Sequence, residues 1–392
     1  MATEAARTSE VFHTGQVMTI VGGHFTHDTF SAFLAPLLPL IIQKLSLSLT
    51  LAGALPAFVQ LPGLLNPFIG YLADRVSLRY FVILAPAVSA TIFGALGLAP
   101  SYAMLAIMLF VAGISVAAFH APAPAMVARI AGHRVGRGMS LFMAGGELGR
   151  TVGPLLAAWA VSLWTLEGMF RVVIFGWIAS VVLYLRLRDI PARSAERPSI
   201  RSLLPQFRRV FLPLLLFVAL RVAVLGGLPT FLPTYMVERG ADLGVAAAAL
   251  TLYELAGVGG ALLGGTLSDL LGRKPVIMAG TAVAALLLVI FVHADGFWLV
   301  ILLLAMGFAG LSTAPVLLAI VQEHFTENRA VANGVFLSIS FATRPIGQIL
   351  VGNMGDRFDL GTGFIVAALL SLLAVPVILL VPDVNRPDSK GL

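Results

Sequence analysis

The sequence predicts an all-α integral membrane protein, with twelve transmembrane helices in two pseudo-symmetric six-helix halves. Three observations predict it. First, hydrophobic residues make up 59% of the 392-residue chain and charged residues 11%, with a mean hydropathy of +0.97. Soluble domains carry about 25% charged residues, and a chain this poor in charge cannot cover a water-facing surface. Second, the apolar residues fall into twelve segments close to the roughly 20 residues that a helix needs to cross a hydrocarbon core. Third, a short charged motif occurs twice, at 70–80 and again at 265–275.

Taken in order, the expected spans are 16–42, 49–73, 80–99, 102–127, 138–162, 168–187, 209–236, 244–270, 274–293, 296–322, 327–353 and 360–382. Helices follow because an isolated span must satisfy its own backbone hydrogen bonds. The alternating pattern of a membrane β-barrel is absent. The longest polar interval, RDIPARSAERPSIRSLLPQFR, falls midway and holds three prolines. It divides the chain into an N-terminal half (1–187), a cytoplasmic linker (188–208) and a C-terminal half (209–392).

Orientation follows from Lys and Arg. With both termini cytoplasmic, the inner loops and tails hold 18 of the 25 basic residues, and the outer loops hold four: Lys44, Arg171, Arg239 and Arg357. This placement accounts for the net charge of +6 and the pI of about 10 without a nucleic-acid partner. The chain has no cysteine, which excludes disulfides and thiolate metal sites. Residues 1–15 are polar, so no cleavable signal peptide is expected and the first span is retained.

The repeated motif reads GYLADRVSLRY at 70–80 and GTLSDLLGRKP at 265–275. A looser echo pairs Arg150 and Gly153 in span five with Arg344 and Gly347 in span eleven. Paired six-helix repeats around a midplane site are a known transporter design.

At these residues the chain resembles the major facilitator superfamily of transporters, whose loop pattern is G-x-L-x-D-R-x-G-R-[KR]. The resemblance implies a conformational latch formed by Gly70, Asp74, Arg75 and Arg79 in the first copy, where Ser77 replaces the usual glycine. In the second copy it implies Gly265, Asp269, Arg273 and Lys274. GELGRTVGP at 146–154 is similar to the G-x-x-x-G-P motif of the family's drug–proton antiporters, with Gly149, Gly153 and Pro154 letting span five pack closely and bend. HFTHDTFSAFLAPLLP, FHAPAPAMVARIAG and VQEHFTENRAVANGV resemble the fosmidomycin resistance branch, which implies proton-driven efflux of a small phosphonate-like anion. The chain departs from that branch in placing Ala121 between His120 and Pro122, and in carrying Glu147 and Arg150 where the branch has uncharged residues.

Six strongly ionisable groups fall well inside spans: Asp28, Glu147, Arg150, Arg221, Glu254 and Arg344. At about 2.5–3.5 kcal/mol each on insertion scales, they cannot face lipid unpaired. Glu147 and Arg150 are spaced i, i+3 and can pair, either as a structural ion pair or as one that opens when substrate competes for Arg150. Arg150, Arg221, Arg344 and His120 are the candidate substrate-binding groups, because a guanidinium fork matches carboxylate and phosphate oxygens. Interhelix salt bridging is the alternative for Arg221 and Arg344.

In HFTHDTF, His24, His27 and Asp28 share one helical face. The candidate proton-coupling groups are therefore Asp28, His24, His27, Glu147 and Glu254. A structural hydrogen-bond cluster is the bland alternative. A metal is the third reading, but no fourth ligand is evident and no metal is expected. Gln322 and Glu323 end span ten and read as surface. No nucleotide loop or nucleophile–base pair appears, so no cofactor and no enzyme activity are expected.

The expectation is a monomeric, multi-pass transporter in a bacterial cytoplasmic membrane, exporting a small organic anion or drug in exchange for protons. The alternatives are uptake or exchange of an organic acid or sugar phosphate, and a membrane sensor or scaffold that transports nothing.

Overall fold

The computed structural model describes residues 12–65, 79–120, 122–189, 204–325 and 329–382. Its regular elements are helices, and every expected span has one. The first span is α1 (Thr14–Ser31) followed after a two-residue break by α2 (Leu34–Leu45). Next come α3 (Leu49–Gln60), α4 (Arg79–Gly94), α5 (Tyr102–His120) and the short α6 (Ala123–Ile130). Ser48 caps α3 by accepting from the Leu51 amide at 3.2 Å, as an N-terminal serine does for an orphan donor.

Spans five and six run nearly without interruption as α7 (Val135–Gly168) and α8 (Val173–Leu187). The break falls at Thr165, whose φ of 64° and ψ of 177° interrupt the helix, and not at Pro154. Span seven is α9 (Leu204–Val222), a π turn over Ala223–Gly227 and α10 (Leu228–Glu238). Then follow α11 (Leu243–Leu271), α12 (Arg273–His293), α13 (Trp298–His324), α14 (Arg329–Arg357) and α15 (Leu360–Val377).

Among the described residues, nine helical stretches are long and apolar enough to cross a membrane, and Arg137–Leu187 holds two expected spans. Leu49–Leu64 is shorter, and the rest of that expected span lies outside the described residues. Helix α14 is the span richest in polar groups, carrying Arg344, Gln348 and Asp356. Many large apolar side chains point outward, among them Trp177, Ile178, Val181 and Leu185 on α8. In water such faces would drive association; against lipid they are solvated.

The chain forms two compact units. One is Met1–Glu196 with Pro229–Leu255, and the other is Arg197–Leu228 with Ala256–Leu392. In the first unit, α1 packs along α7, and α4 lies against α8. A core of Val17, Ile20, Ile83, Phe119, Phe142 and Leu183 fills the space between them. Thr251 Oγ1, on the part of α11 that belongs to this unit, donates to the Thr151 carbonyl at 2.9 Å. In the second unit, α12 packs on α13 and α15 around Phe211, Phe217, Ile320 and Phe336.

Candidate functional site

The α1–α7 seam is tight because α7 presents glycines to it. A Cβ at Gly149 would lie 2.4 Å from the Phe25 carbonyl oxygen, and one at Gly153 would lie 2.5 Å from that of Thr29. This close approach brings the polar face of α1 against α7 and the end of α5. There His24, Asp28 and His120 converge. His24 Nε2 lies 3.3 Å from Asp28 Oδ2, His120 Nε2 lies 3.5 Å from Asp28 Oδ1, and the two Nε2 atoms are 3.3 Å apart.

The other nitrogen of each ring is committed. His24 Nδ1 donates to the Phe142 carbonyl at 2.8 Å, and His120 Nδ1 donates to the Val116 carbonyl at 3.0 Å. A carbonyl only accepts, so each Nδ1 carries a proton, and in its neutral form each ring turns a bare Nε2 lone pair toward the carboxylate. Stacking on Phe142, with ring centroids 4.0 Å apart, fixes the plane of His24. A Cβ at Gly146 would sit 2.4 Å from His24 Cε1 and 3.0 Å from Asp28 Oδ2, so a side chain there would displace the group. Asp28 is buried and its Oδ1 accepts no hydrogen bond. Acceptors facing acceptors in a buried setting make a place for positive charge.

His27 does not join this group. Its Nδ1 pairs with Ser89 Oγ at 3.0 Å, Ser89 continues to Ser115 Oγ at 3.3 Å, and the ring stacks on Phe119 at 4.6 Å.

Arg150 and Glu147 form an ion pair along α7. The Arg150 side chain is 43% exposed. The charges of Glu147, Asp28 and Glu254 all act on its guanidinium. In the second unit, Arg221 is buried, donates from Nη2 to the Gly310 carbonyl at 3.1 Å and lies 5.3 Å over the Phe217 ring. Arg344 is exposed, and its backbone and Cγ pack beside Gly226 in the π turn.

Of the first latch copy, Gly70, Asp74 and Arg75 lie outside the described residues. Arg79 opens α4 with its guanidinium 5.2 Å over the Tyr80 ring. The second copy forms a network. Arg273 Nη1 meets Asp269 Oδ1 at 2.7 Å, while Nη2 and Nε both donate to Glu323 Oε1, at 2.8 and 3.2 Å. Gly272 turns the chain between α11 and α12 with φ of 95°, a conformation that favours glycine. Gly265 lies four residues before Asp269 on α11, and Lys274 follows Arg273 on α12. Glu323, expected at the surface, is the second carboxylate of this network. Its signal in the sequence was its place at the end of an apolar span, beside the QEH run.

Comparison with known proteins agrees with this picture. The family model described as Major Facilitator Superfamily matches residues 20–250 and 238–392. The fosmidomycin resistance protein of Escherichia coli (strain K12) is 25% identical over 99% of this chain and 96% of its own length. An uncharacterized MFS-type transporter, YfnC, of Bacillus subtilis (strain 168) is 24% identical over 94% of this chain and 93% of its own. Among solved structures, a D-xylose–proton symporter shares the fold with a TM-score of 0.77 at 15% identity, covering 96% of this chain and 99% of that one. The nucleoside transporter NupG does so with a TM-score of 0.72 at 16% identity, covering 93% and 98%. The helical architecture and the family-model match make the chain a multi-pass membrane transporter, and it belongs to the major facilitator superfamily.

Proposed function

We propose that this transporter moves a small organic anion, of phosphonate or fosmidomycin-like chemistry, out of a bacterial cell by alternating access, with protons moving inward. The observation that carries the substrate class is the Glu147–Arg150 pair. Arg150 is half-exposed, and the carboxylate that holds it sits one turn away on its own helix. Such a pair is a weak internal clamp, worth a few tenths of a kcal/mol when solvated. An oxyanion with two oxygens in the plane of the guanidinium replaces it with two charge-assisted hydrogen bonds. Arg344, exposed on α14, is the second arginine assigned to the anion. The full-length similarity to a fosmidomycin resistance protein supports the same class and the outward direction. An interior-negative potential favours this exchange on both legs, by about 2.3 kcal/mol per charge per 100 mV.

The same pair supports a second reading. When an anion takes Arg150, Glu147 loses its counter-ion, and a proton carried with the anion would balance that charge. Anion and proton are then bound together, and that linkage favours cotransport, as in uptake of an organic acid or sugar phosphate. The two readings differ in the sign of proton flux. Purified protein in liposomes with an internal pH dye separates them, with fosmidomycin, other phosphonates, phosphate esters and carboxylates added in turn. In the export reading, protons move against the anion; in the uptake reading, with it. Arg150→Ala abolishes either signal. A response to a lipophilic cation, with silence for every anion, would refute the anion assignment.

A further inference from the structure

We infer that His24, Asp28 and His120 form a binding site for a divalent transition-metal ion of the zinc class. The inference rests on their geometry and is independent of what the transporter carries.

The first argument is spacing. Tetrahedral zinc with bonds of about 2.0–2.1 Å sets its ligand atoms about 3.3–3.4 Å apart. Here the three contacts are 3.3, 3.3 and 3.5 Å. Each carboxylate oxygen of Asp28 faces one imidazole, and one donor atom from each residue lies within 4.8 Å of the others. A small rotation of the carboxylate brings one oxygen, or both, onto an ion placed above the triangle.

The second argument is orientation. Metal-binding histidines donate their other ring N–H to a carbonyl or carboxylate, which fixes the tautomer and aims the free nitrogen. Both histidines meet that requirement through Phe142 and Val116. The rings are therefore held in the ligand tautomer before any ion arrives, and the Phe142 stack and the absence of a side chain at Gly146 keep His24 in place.

The third argument is charge. Two neutral imidazoles and one carboxylate leave a net negative charge in a buried cluster, with Asp28 Oδ1 accepting no hydrogen bond. One proton between the two nitrogens satisfies two of the three acceptors. A metal ion takes all three. Imidazole ligands select zinc, copper, nickel or iron over magnesium and calcium. Among the described residues no fourth protein donor joins the set. The His120 side chain is 38% exposed, which leaves an open side for a water molecule as the fourth ligand. His27, the neighbour on the same helix, is directed to Ser89 and is excluded.

The test uses the full chain, freed of any affinity tag, in detergent or nanodiscs, titrated with Co²⁺ alone. Tetrahedral Co²⁺ absorbs intensely in the visible, whereas octahedral Co²⁺ on surface histidines is pale. The expected result is one intense Co²⁺ site per chain, displaced by one equivalent of Zn²⁺. His120→Ala, at a partly exposed position, weakens Zn²⁺ binding by about a hundredfold or more and removes the intense band. His27→Gln retains both. Zn²⁺ raises the thermal midpoint of the parent and not of His120→Ala, which also reports that the variant is folded. A pale spectrum, or an intense band that survives His120→Ala, overturns the proposal.

Discussion

Gly149→Ala tests the seam that builds the site. A Cβ at this position would lie 2.4 Å from the Phe25 carbonyl oxygen, 3.0 Å from the Thr29 nitrogen and 3.2 Å from Asp28 Cβ. Ordinary contact begins near 3.4 Å, so α1 and α7 must separate by about 1 Å. These neighbours are mostly backbone, which has no rotamer to yield. Overpacking of this kind costs about 1–3 kcal/mol. Replacing glycine in a helix interior returns about 0.5–1 kcal/mol. The expected net loss is therefore up to about 2.5 kcal/mol, read as a lower thermal midpoint by tryptophan fluorescence or circular dichroism in detergent. Gly22→Ala is the matched control on α1, because a Cβ there meets nothing within 4 Å. It should be neutral or stabilising by up to about 0.5–1 kcal/mol. If Gly149→Ala is as stable as Gly22→Ala, the seam is not held by close approach and the reasoning fails.

Four further outcomes are expected. Arg273→Ala and Glu323→Ala should couple by about 1 kcal/mol in a double-mutant cycle on unfolding, since Arg273 gives two hydrogen bonds to one Glu323 oxygen; additive single effects would show the contact to be idle. Arg221→Ala should cost about 2–5 kcal/mol and reduce the yield of folded protein, because it empties a buried volume and removes one of the two side-chain donors to the Gly310 carbonyl, the other being Thr313 Oγ1. Arg344→Ala, at an exposed position, should fold like the parent and lose anion transport; equal folding yields for the two variants would contradict this division. Asp359→Ala should cost about 1 kcal/mol, since Asp359 caps α15 by accepting from the Thr362 amide at 2.7 Å. The Thr362 amide and hydroxyl hold the Asp359 carboxyl below its ordinary value of 3.8. Its contribution is therefore present above that pH and fades as the pH falls below it, so parent and variant should converge in thermal midpoint at low pH.

Hydropathy located the spans because lipid imposes one length scale on every helix. Partner choice was less legible. The i, i+3, i+4 spacing correctly put His24, His27 and Asp28 on one broad face. Around a helix of 3.6 residues per turn, however, Asp28 lies about 40° to one side of His24 and His27 about 60° to the other. That difference sends His24 and Asp28 toward α5 and α7, and His27 toward Ser89 on α4. His120 and Glu323 gain their roles from residues far away in the chain, which local spacing does not encode. The helix break at Thr165 falls within 163–167, the interval expected between spans five and six, but no residue there marks it. Proline is the usual mark of a bend, yet α7 tolerates Pro154 and yields at a threonine that carries no such mark.

The π turn at Ala223–Gly227 amounts to one residue more than an α-helix needs to cover the same rise. Deleting a single residue there would let the helix close into regular α form with little change in the facing of Leu228 to Glu238. In a regular α-helix the same deletion would rotate everything beyond it by about 100° around the axis. Phe231, Leu232 and Tyr235 would therefore keep their buried facing when the π turn is shortened. The turn is the slack in span seven, the place where the chain can lose a residue without scrambling the inward face of the eleven residues that follow.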